Sequence, residues 1–177
     1  MVKNEDIKFI LDRLEENYPD AECALVHQNV YQLIVAVALS AQTTDKSVNL
    51  ITPALFEKYP TAADLAVAEV SDVEEYIRRI GMYKTKAKNI VGMAKALVEK
   101  HGGHVPEDYD ALVDLPGVGR KTANVVLSVG FGHQRIAVDT HVFRVANRLG
   151  LTDSQDVLTS EKQLMEIIPR ENWFDAH

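Results

Sequence analysis

The chain has 177 residues, of which 46% are hydrophobic and 25% are charged, and its formal net charge is -7. This length suits one domain or two small ones, and the apolar content is too high for an intrinsically disordered protein. Because no apolar run reaches the roughly 18 residues of a membrane span and the N-terminus lacks the pattern of a signal peptide, the sequence predicts a cytoplasmic protein without an integral membrane segment.

Helical periodicity dominates the first part of the chain. Apolar residues between positions 7 and 14 recur at the three-and-four spacing of an amphipathic helix. Residues 33–39, which follow Asn29, are apolar on nearly every side, so we expect a helix at the centre of a bundle. The next helix is expected to open at Thr44 or at the residue after it, and Thr61 is expected to cap a short one.

Capping residues and glycines mark the later helices. Capping-box patterns predict helices that start at two positions, Ser71 and Ser160, and Gly81 stands where a C-cap glycine belongs. Further helical patterns lie at residues 84–101, 110–115, 120–129 and 140–149. Strand signals are restricted to residues 135–138, so the predicted fold class is all-α.

The negative net charge hides a basic segment. Residues 78–121 carry nine basic and five acidic side chains, a local charge of +4, whereas the residues on either side are net acidic. A basic segment of this kind is able to contact phosphates even within an acidic protein. Charge alone favours the simpler interpretation of a solvated helix face. Only the motifs within the segment distinguish this interpretation from a phosphate-binding surface.

The most informative motif is LPGVGRKTA at residues 115–123, between two short predicted helices. Pro116 is expected to stop the first helix, while Gly117 and Gly119 supply backbone angles that let the chain reverse within a few residues. The amides at the start of the second helix then face outward and bind an anion, for which a DNA phosphate is the natural candidate. The glycines alone would also fit a tightly packed turn between two helices. Arg120 and Lys121, which directly follow Gly119, favour the phosphate site instead.

This motif resembles the helix-hairpin-helix of the endonuclease III-like DNA glycosylases. Three further segments resemble that family in the expected order: LSAQTTD, IGMYKTKA and VDTHVFRV, which begin at residues 39, 80 and 138. The resemblance extends from near residue 5 to the last residue. It implies a six-helix barrel over residues 23–133, with the hairpin at residues 115–121. A second helical domain, incomplete in this chain, is expected to combine residues 1–22 with residues 134–177.

The resemblance implies a bifunctional enzyme that excises oxidised pyrimidines from DNA and then cuts the strand at the abasic site. Lys121 matches the family's nucleophile, which attacks the sugar C1′, forms a Schiff base and permits β-elimination. A lysine attacks only after it sheds its proton, and the start of a helix and the neighbouring Arg120 both disfavour a second positive charge there. The alternative is that Lys121 only contacts a phosphate beside the hairpin.

Asp139 lies immediately before a predicted helix, where its simplest role is that of an N-cap, worth about 1 kcal/mol. The matching aspartate of the family stabilises the positive charge that builds on the sugar as the base leaves, and it assists proton transfer. The two roles are compatible, because the helix amides hold a capping carboxylate in place.

A damaged base has to leave the stack before it is attacked. In the family, side chains from two loops fill the gap, and the matching positions here are Gln42 and Met82. The Gln42 amide is expected to reach the orphaned partner base, and Met82 to wedge between base pairs. Family members commonly carry leucine at the wedge position, and ordinary core packing is the alternative for Met82. The other residues expected to contact DNA are Lys84, Pro116, Gly117, Val118, Gly119, Arg120, Thr140 and His141.

The family usually holds a [4Fe-4S] cluster through four C-terminal cysteines. This chain has one cysteine, Cys23, which lies outside the matching region, and it stops at His177. We therefore expect an apparent truncation before the cluster loop, and no metal or cluster bound by the residues given.

Two other functions remain open beside the repair of damaged pyrimidines. A non-catalytic DNA-binding module would keep the phosphate grip of the hairpin while the missing C-terminus leaves the active site inert. An adenine glycosylase that acts on mismatches is the weaker candidate, because that branch generally lacks the lysine of the hairpin. The expected partner is double-stranded DNA that contains a damaged pyrimidine or an abasic site, bound by a monomer.

Overall fold

The computed structural model describes residues 4–174 and 176, with side chains from Asp6 onward. All regular structure among these residues is helical, which confirms the all-α class. Residues 135–138, expected to be extended, lie in an irregular segment and form no strand. The α-helices are α1 Asn4–Asn17, α2 Val30–Leu39, α3 Asp45–Lys58, α4 Ala62–Ala66, α5 Val70–Ile77, α6 Tyr83–His101, α7 Tyr109–Val113, α8 Arg120–Val125, α9 Thr140–Arg148 and α10 Val157–Ile167. A π-helix, Val126–Gly130, continues α8, and a 3-10 turn, Arg170–Asn172, follows α10.

The larger of two compact units spans Cys23–Phe131 and contains α2 to α8 and the π-helix. Its core is organised around α2, which is buried on nearly every side, as its apolar sequence predicts. Glycine lets the π-helix approach α2 closely, because a Cβ at Gly130 would lie 3.1 Å from the Leu33 side chain. The residues of α2 that are buried are Leu33, Ile34, Val35, Ala36, Val37 and Leu39.

Polar side chains cap the helices of this unit, at Thr44 and Thr61 as the sequence predicts and also at Asn29. The Asn29 side chain accepts a hydrogen bond from the Gln32 amide at 2.9 Å, and Thr44 caps α3. Thr61 and Asp64 form a complete capping box at the start of α4. Each such cap satisfies an amide that has no partner within the helix, and is worth about 1 kcal/mol.

The capping boxes predicted at Ser71 and Ser160 are wrong, because both helices start earlier. Ser71 lies inside α5, which begins one residue before it without a side-chain cap. Ser160 lies inside α10, since Asp156 caps that helix and accepts from the Thr159 amide at 2.8 Å. Gly81 is not a C-cap, because α5 ends four residues before it. Several residues of a polar run fit the capping pattern equally well, so the pattern locates a helix better than it locates the first residue.

The second unit combines the chain before Cys23 with the chain after Phe131. Its described helices, α1, α9 and α10, pack around a separate apolar core. Three buried residues come from different parts of the chain: Ile7 on α1, Ile136 in the irregular segment and Leu164 on α10. None of the helices in the described part of the chain combines the length and apolarity that crossing a bilayer requires.

Candidate nucleic-acid interface and active site

The predicted hairpin connects α7 to α8 and is anchored by its two apolar residues. Leu115 and Val118 are buried, and the Val118 amide donates to the Leu115 carbonyl at 3.1 Å. Pro116, Gly117 and Gly119 are exposed. The Val118 side chain thus belongs to the core, so the contact with DNA that the resemblance implies for this residue is limited to its backbone.

Of the two hairpin glycines, only Gly117 adopts a conformation that favours glycine. Its φ is 76°, and a Cβ added there would lie 2.9 Å from the Asn89 Cβ on α6. Gly119 has φ -97° and ψ -178°, and a Cβ there would meet nothing within 4 Å. The expectation that both glycines supply unusual angles is therefore wrong for Gly119. Pro116 also packs on α6, since a Cβ at Gly92 would lie 3.5 Å from it, so the hairpin is seated on this helix.

We expect Gly117→Ala to lower the free energy of unfolding by about 1–3 kcal/mol. Alanine is strained in the left-handed conformation of this position, and its Cβ would also clash with α6. The matched control is Gly119→Ala, which has ordinary angles and open space, and is expected to change stability by less than about 0.5 kcal/mol. Urea denaturation of both variants measures the difference. Equal stability of the two variants would show that α6 does not constrain the hairpin as described.

Two adjacent cations stand at the start of α8. Lys121 lies in the first turn and is exposed, directly after Arg120. Arg120 donates to the Tyr109 hydroxyl at 3.3 Å, and its guanidinium carbon lies 5.8 Å from the centre of the Tyr109 ring, which holds Arg120 beside α7. No side chain caps this end of α8. The amides in the first turn of an α-helix have no carbonyl partners within the helix, so an anion placed here meets amide dipoles together with two cations.

The Cys23 thiol interacts electrostatically with Asp45 and with Lys121, and neither Cys23 nor Asp45 was predicted from the sequence as a site residue. Burial raises the pKa of the Cys23 thiol and a backbone hydrogen bond at Leu25 lowers it, while the charges of Asp45 and Lys121 make smaller contributions that raise and lower it, respectively. The only signal in the sequence was the place of Asp45 at the end of the LSAQTTD segment.

Gln42 and Met82 occupy turns of the same unusual backbone conformation. Among the described residues, they are the two non-glycine residues with positive φ, which is 54° at each. Left-handed backbone costs a non-glycine residue about 1–3 kcal/mol, and strain of this kind is concentrated at functional sites. Met82 is 55% exposed, so the alternative of core packing is wrong for its side chain. Gln42 is exposed as well.

Three lysines alternate at the start of α6, and the structure separates them. Lys84 and Lys88 are exposed, as expected for residues four apart that share one helix face. Lys86 is buried, and its ammonium donates to the Thr43 hydroxyl at 2.6 Å. Two of the three lysines are therefore available to a phosphate, and the third points into the protein.

Asp139 caps α9, as the sequence predicts. One of its carboxylate oxygens accepts hydrogen bonds from the His141 amide at 2.8 Å and the Val142 amide at 2.9 Å. Thr140 and His141 are exposed in the first turn that follows, and the His141 ring nitrogen lies 3.3 Å from an Arg144 guanidinium nitrogen. The cap fixes the carboxylate at the start of the helix without burying it.

The residues of this sequence do not fit the iron–sulfur cluster that the resemblance implies. Such a cluster needs four thiolates, and the sequence supplies one cysteine, Cys23, which is half-buried. Among the described residues, no three side chains of His, Cys, Asp or Glu are grouped as the ligands of a metal ion.

Known proteins that resemble this chain match it over nearly its whole length. The endonuclease III of Bacillus subtilis is 51% identical over 178 residues, which cover 100% of this chain and 81% of that protein. The endonuclease III of Escherichia coli K12 is 46% identical over 168 residues, with 95% of this chain and 80% of that protein covered.

A solved structure and a family complete the comparison. The structure of a trapped endonuclease III–DNA covalent intermediate superposes with a TM-score of 0.96 at 50% identity, and covers 100% of this chain and 84% of that one. Residues 35–170 match the HhH-GPD superfamily of base excision DNA repair proteins. Because this match includes most of the sequence, the chain belongs to the HhH-GPD superfamily of base excision DNA repair proteins.

Proposed function

We propose that the protein removes oxidised pyrimidines from double-stranded DNA and cleaves the resulting abasic site through a Schiff base on Lys121. The observation that carries the proposal is the exposed residue Lys121 in the first turn of α8, directly after a hairpin that packs on α6. A protein that is 50% identical over the whole chain was trapped as a covalent intermediate with DNA, which supports an enzyme over a non-catalytic binding module. Lysine at this position also counts against a mismatch-specific adenine glycosylase.

In the proposed reaction, the unprotonated amine of Lys121 attacks C1′ of the damaged nucleotide. The N-glycosidic bond breaks, its electron pair leaves with the base, and the base takes up a proton. The sugar opens to an iminium ion, which acidifies the C2′ proton. Removal of that proton breaks the bond between C3′ and the phosphate oxygen, and water then hydrolyses the imine and frees Lys121.

Asp139 is proposed to stabilise the transition state of base release. A carboxylate near the sugar is attracted more strongly as positive charge develops at C1′, so it lowers the barrier rather than merely binding substrate. Its two hydrogen bonds to the amides of α9 support this role, because a fixed charge needs no reorganisation during the reaction.

Base eversion is proposed to depend on Gln42 and Met82. Both side chains are exposed, and both residues have left-handed backbone conformations. Met82 supplies an apolar wedge that stabilises an unstacked step, and Gln42 supplies an amide that hydrogen-bonds the partner base. Neither contact requires a particular damaged base, so these residues select unstable base pairs rather than one lesion.

Phosphate contacts are proposed for the backbone at Gly117 and Gly119, for Lys84 and for Arg120, with further contacts from Thr140 and His141. These contacts carry position rather than base sequence. The two cations among these contacts predict that DNA affinity falls about tenfold between roughly 50 and 200 mM salt, because each phosphate neutralised by Lys or Arg releases counterions. Fluorescence anisotropy with an undamaged duplex, measured across this range, tests the prediction. Affinity that is independent of salt would contradict the phosphate grip.

The proposed reaction is tested with an end-labelled duplex that contains thymine glycol. We expect release of the damaged base together with a strand cut that carries an unsaturated aldehyde at its 3′ end. A 3′-hydroxyl product would indicate hydrolysis instead of β-elimination. Binding to the duplex without base release would favour the DNA-binding module, and release of adenine from a mismatch would favour the adenine glycosylase.

A monomer of 19.7 kDa is expected on a sizing column.

A further inference from the structure

Lys86 contacts both of the strained turns through different atoms. Its backbone amide donates to the Met82 carbonyl at 3.0 Å, as the first hydrogen bond of α6. Its ammonium donates to the Thr43 hydroxyl at 2.6 Å, next to Gln42 in the chain. Thr43 and Lys86, which are 43 positions apart in sequence, are therefore joined by a side-chain hydrogen bond. Thr43 directly follows the left-handed residue Gln42, and Lys86 is hydrogen-bonded through its backbone to the left-handed residue Met82.

The chemistry of this contact is unusual for a side chain that serves only packing. Lys86 is 5% exposed, and burial lowers the pKa of its ammonium. Its acceptor in the described structure is a neutral hydroxyl rather than a carboxylate. Replacement of such a buried charge by an apolar side chain of similar length is often neutral or stabilising, so stability alone gives no reason for a lysine here.

What the lysine adds is a fixed geometry. A hydrogen bond of 2.6 Å defines the distance between the two turns, whereas an apolar side chain would allow the Gln42 turn to shift along α6. The Thr43 amide in addition donates to the Ser40 carbonyl at 3.0 Å, so a constraint on Thr43 is passed to the whole turn.

We propose that Lys86 is a positioning residue that holds the Gln42 turn in register with the Met82 turn, so that both side chains enter the same base step of DNA. This inference rests on the proposed function, because it assigns a common task to the two turns. Neither Lys86 nor Thr43 touches the reacting atoms. Their effect is confined to steps in which a base pair has to be opened.

The test compares abasic-site cleavage in duplex DNA with cleavage in a single strand, where no pair has to be opened. Lys86→Met and Thr43→Val are each expected to lower the duplex rate about tenfold, because small errors of position are costly in catalysis. The single-strand rate is expected to stay within about twofold of the wild type. Thr43→Ser, which keeps the hydroxyl, is expected to restore the duplex rate, and Lys95→Met, at an exposed position of α6, is the matched control.

A double mutant tests whether the two residues act through their mutual hydrogen bond. Lys86→Met with Thr43→Val is expected to be no slower than either single variant, because the shared contact is removed only once. Multiplied losses would show that the residues act separately and would overturn the inference. Equal losses in duplex and single strand would overturn it too, since they would indicate general damage to the fold.

A readout without chemistry separates this inference from the proposed function. The probe is a DNA duplex with 2-aminopurine placed opposite a tetrahydrofuran analogue of an abasic site. The fluorescence of 2-aminopurine changes when the Gln42 and Met82 turns displace this base from the base stack. We expect a change with wild type and a much smaller one with Lys86→Met at saturating protein. If wild type cuts duplex DNA but Lys86→Met behaves identically in both assays, the inference is overturned while the proposed function stands. If the wild-type protein displaces the probe but never cuts DNA, the proposed reaction is contradicted. The fluorescence difference between wild type and Lys86→Met then still tests the positioning role.

Discussion

Lys121→Ala is expected to lose strand cleavage at abasic sites by at least about 10³-fold, because no other group replaces a missing nucleophile. The affinity for duplex DNA is expected to fall only a few-fold, since one positive charge near the DNA is removed while the proposed phosphate contacts remain. Single-turnover cleavage of a duplex with one abasic site measures the first quantity, and anisotropy measures the second.

Lys121→Arg separates the nucleophile from a simple phosphate contact. Arginine keeps the positive charge beside the hairpin, but its guanidinium stays protonated and forms no Schiff base. We expect this variant to bind DNA as wild type does and to be as inactive as Lys121→Ala. Substantial cleavage by Lys121→Arg would mean that the residue serves only to hold a phosphate. Lys95→Ala, at an exposed site on α6, controls for the loss of a surface charge.

Asp139→Asn is expected to slow release of an oxidised pyrimidine by about 10²–10³-fold, the usual effect of removing one electrostatic contact from a transition state. Stability is expected to change by less than about 0.5 kcal/mol, because asparagine and aspartate cap helices almost equally well. Single-turnover base release and thermal unfolding measure the two effects. The amide keeps the hydrogen bonds to α9, so the variant removes charge without moving the backbone.

Two further substitutions keep the Asp139 prediction distinct from an effect on folding. Asp139→Ala is expected to lose the cap as well, with about 1 kcal/mol of stability, and to be no more active than Asp139→Asn. Asp156→Asn makes the same chemical change at the cap of α10 and is expected to leave base release unaltered. If Asp139→Asn retains full activity while Asp139→Ala is unstable, the carboxylate is a cap and nothing more.

The sequence predicted the class of the fold and most of its helices because local signals agree with tertiary packing. The apolar residues of α2 leave no face for solvent, and the structure buries this helix. Thr44 and Thr61 cap the helices that the sequence predicts to start there. Each of these signals depends on the residue itself or on partners within about four positions.

Two of the misses in the candidate site concern contacts between residues that are distant in the chain. Gly119 looked as constrained as Gly117, but only Gly117 faces a neighbouring helix closely enough to exclude a side chain. Helical periodicity separates Lys86 from Lys84 and Lys88, but it does not show which of the two faces is buried. That depends on Thr43, a partner that only the folded chain brings near.

The central claim is that the amine of Lys121 becomes bonded to the sugar, and borohydride reduction tests it most directly. Wild-type protein is incubated with an abasic duplex and borohydride, the covalent product is digested with protease, and the modified residue is located by mass spectrometry. The account predicts a single stable adduct on Lys121 and no adduct with Lys121→Arg. An adduct on another amine, or cleavage of the strand without any adduct, would contradict it.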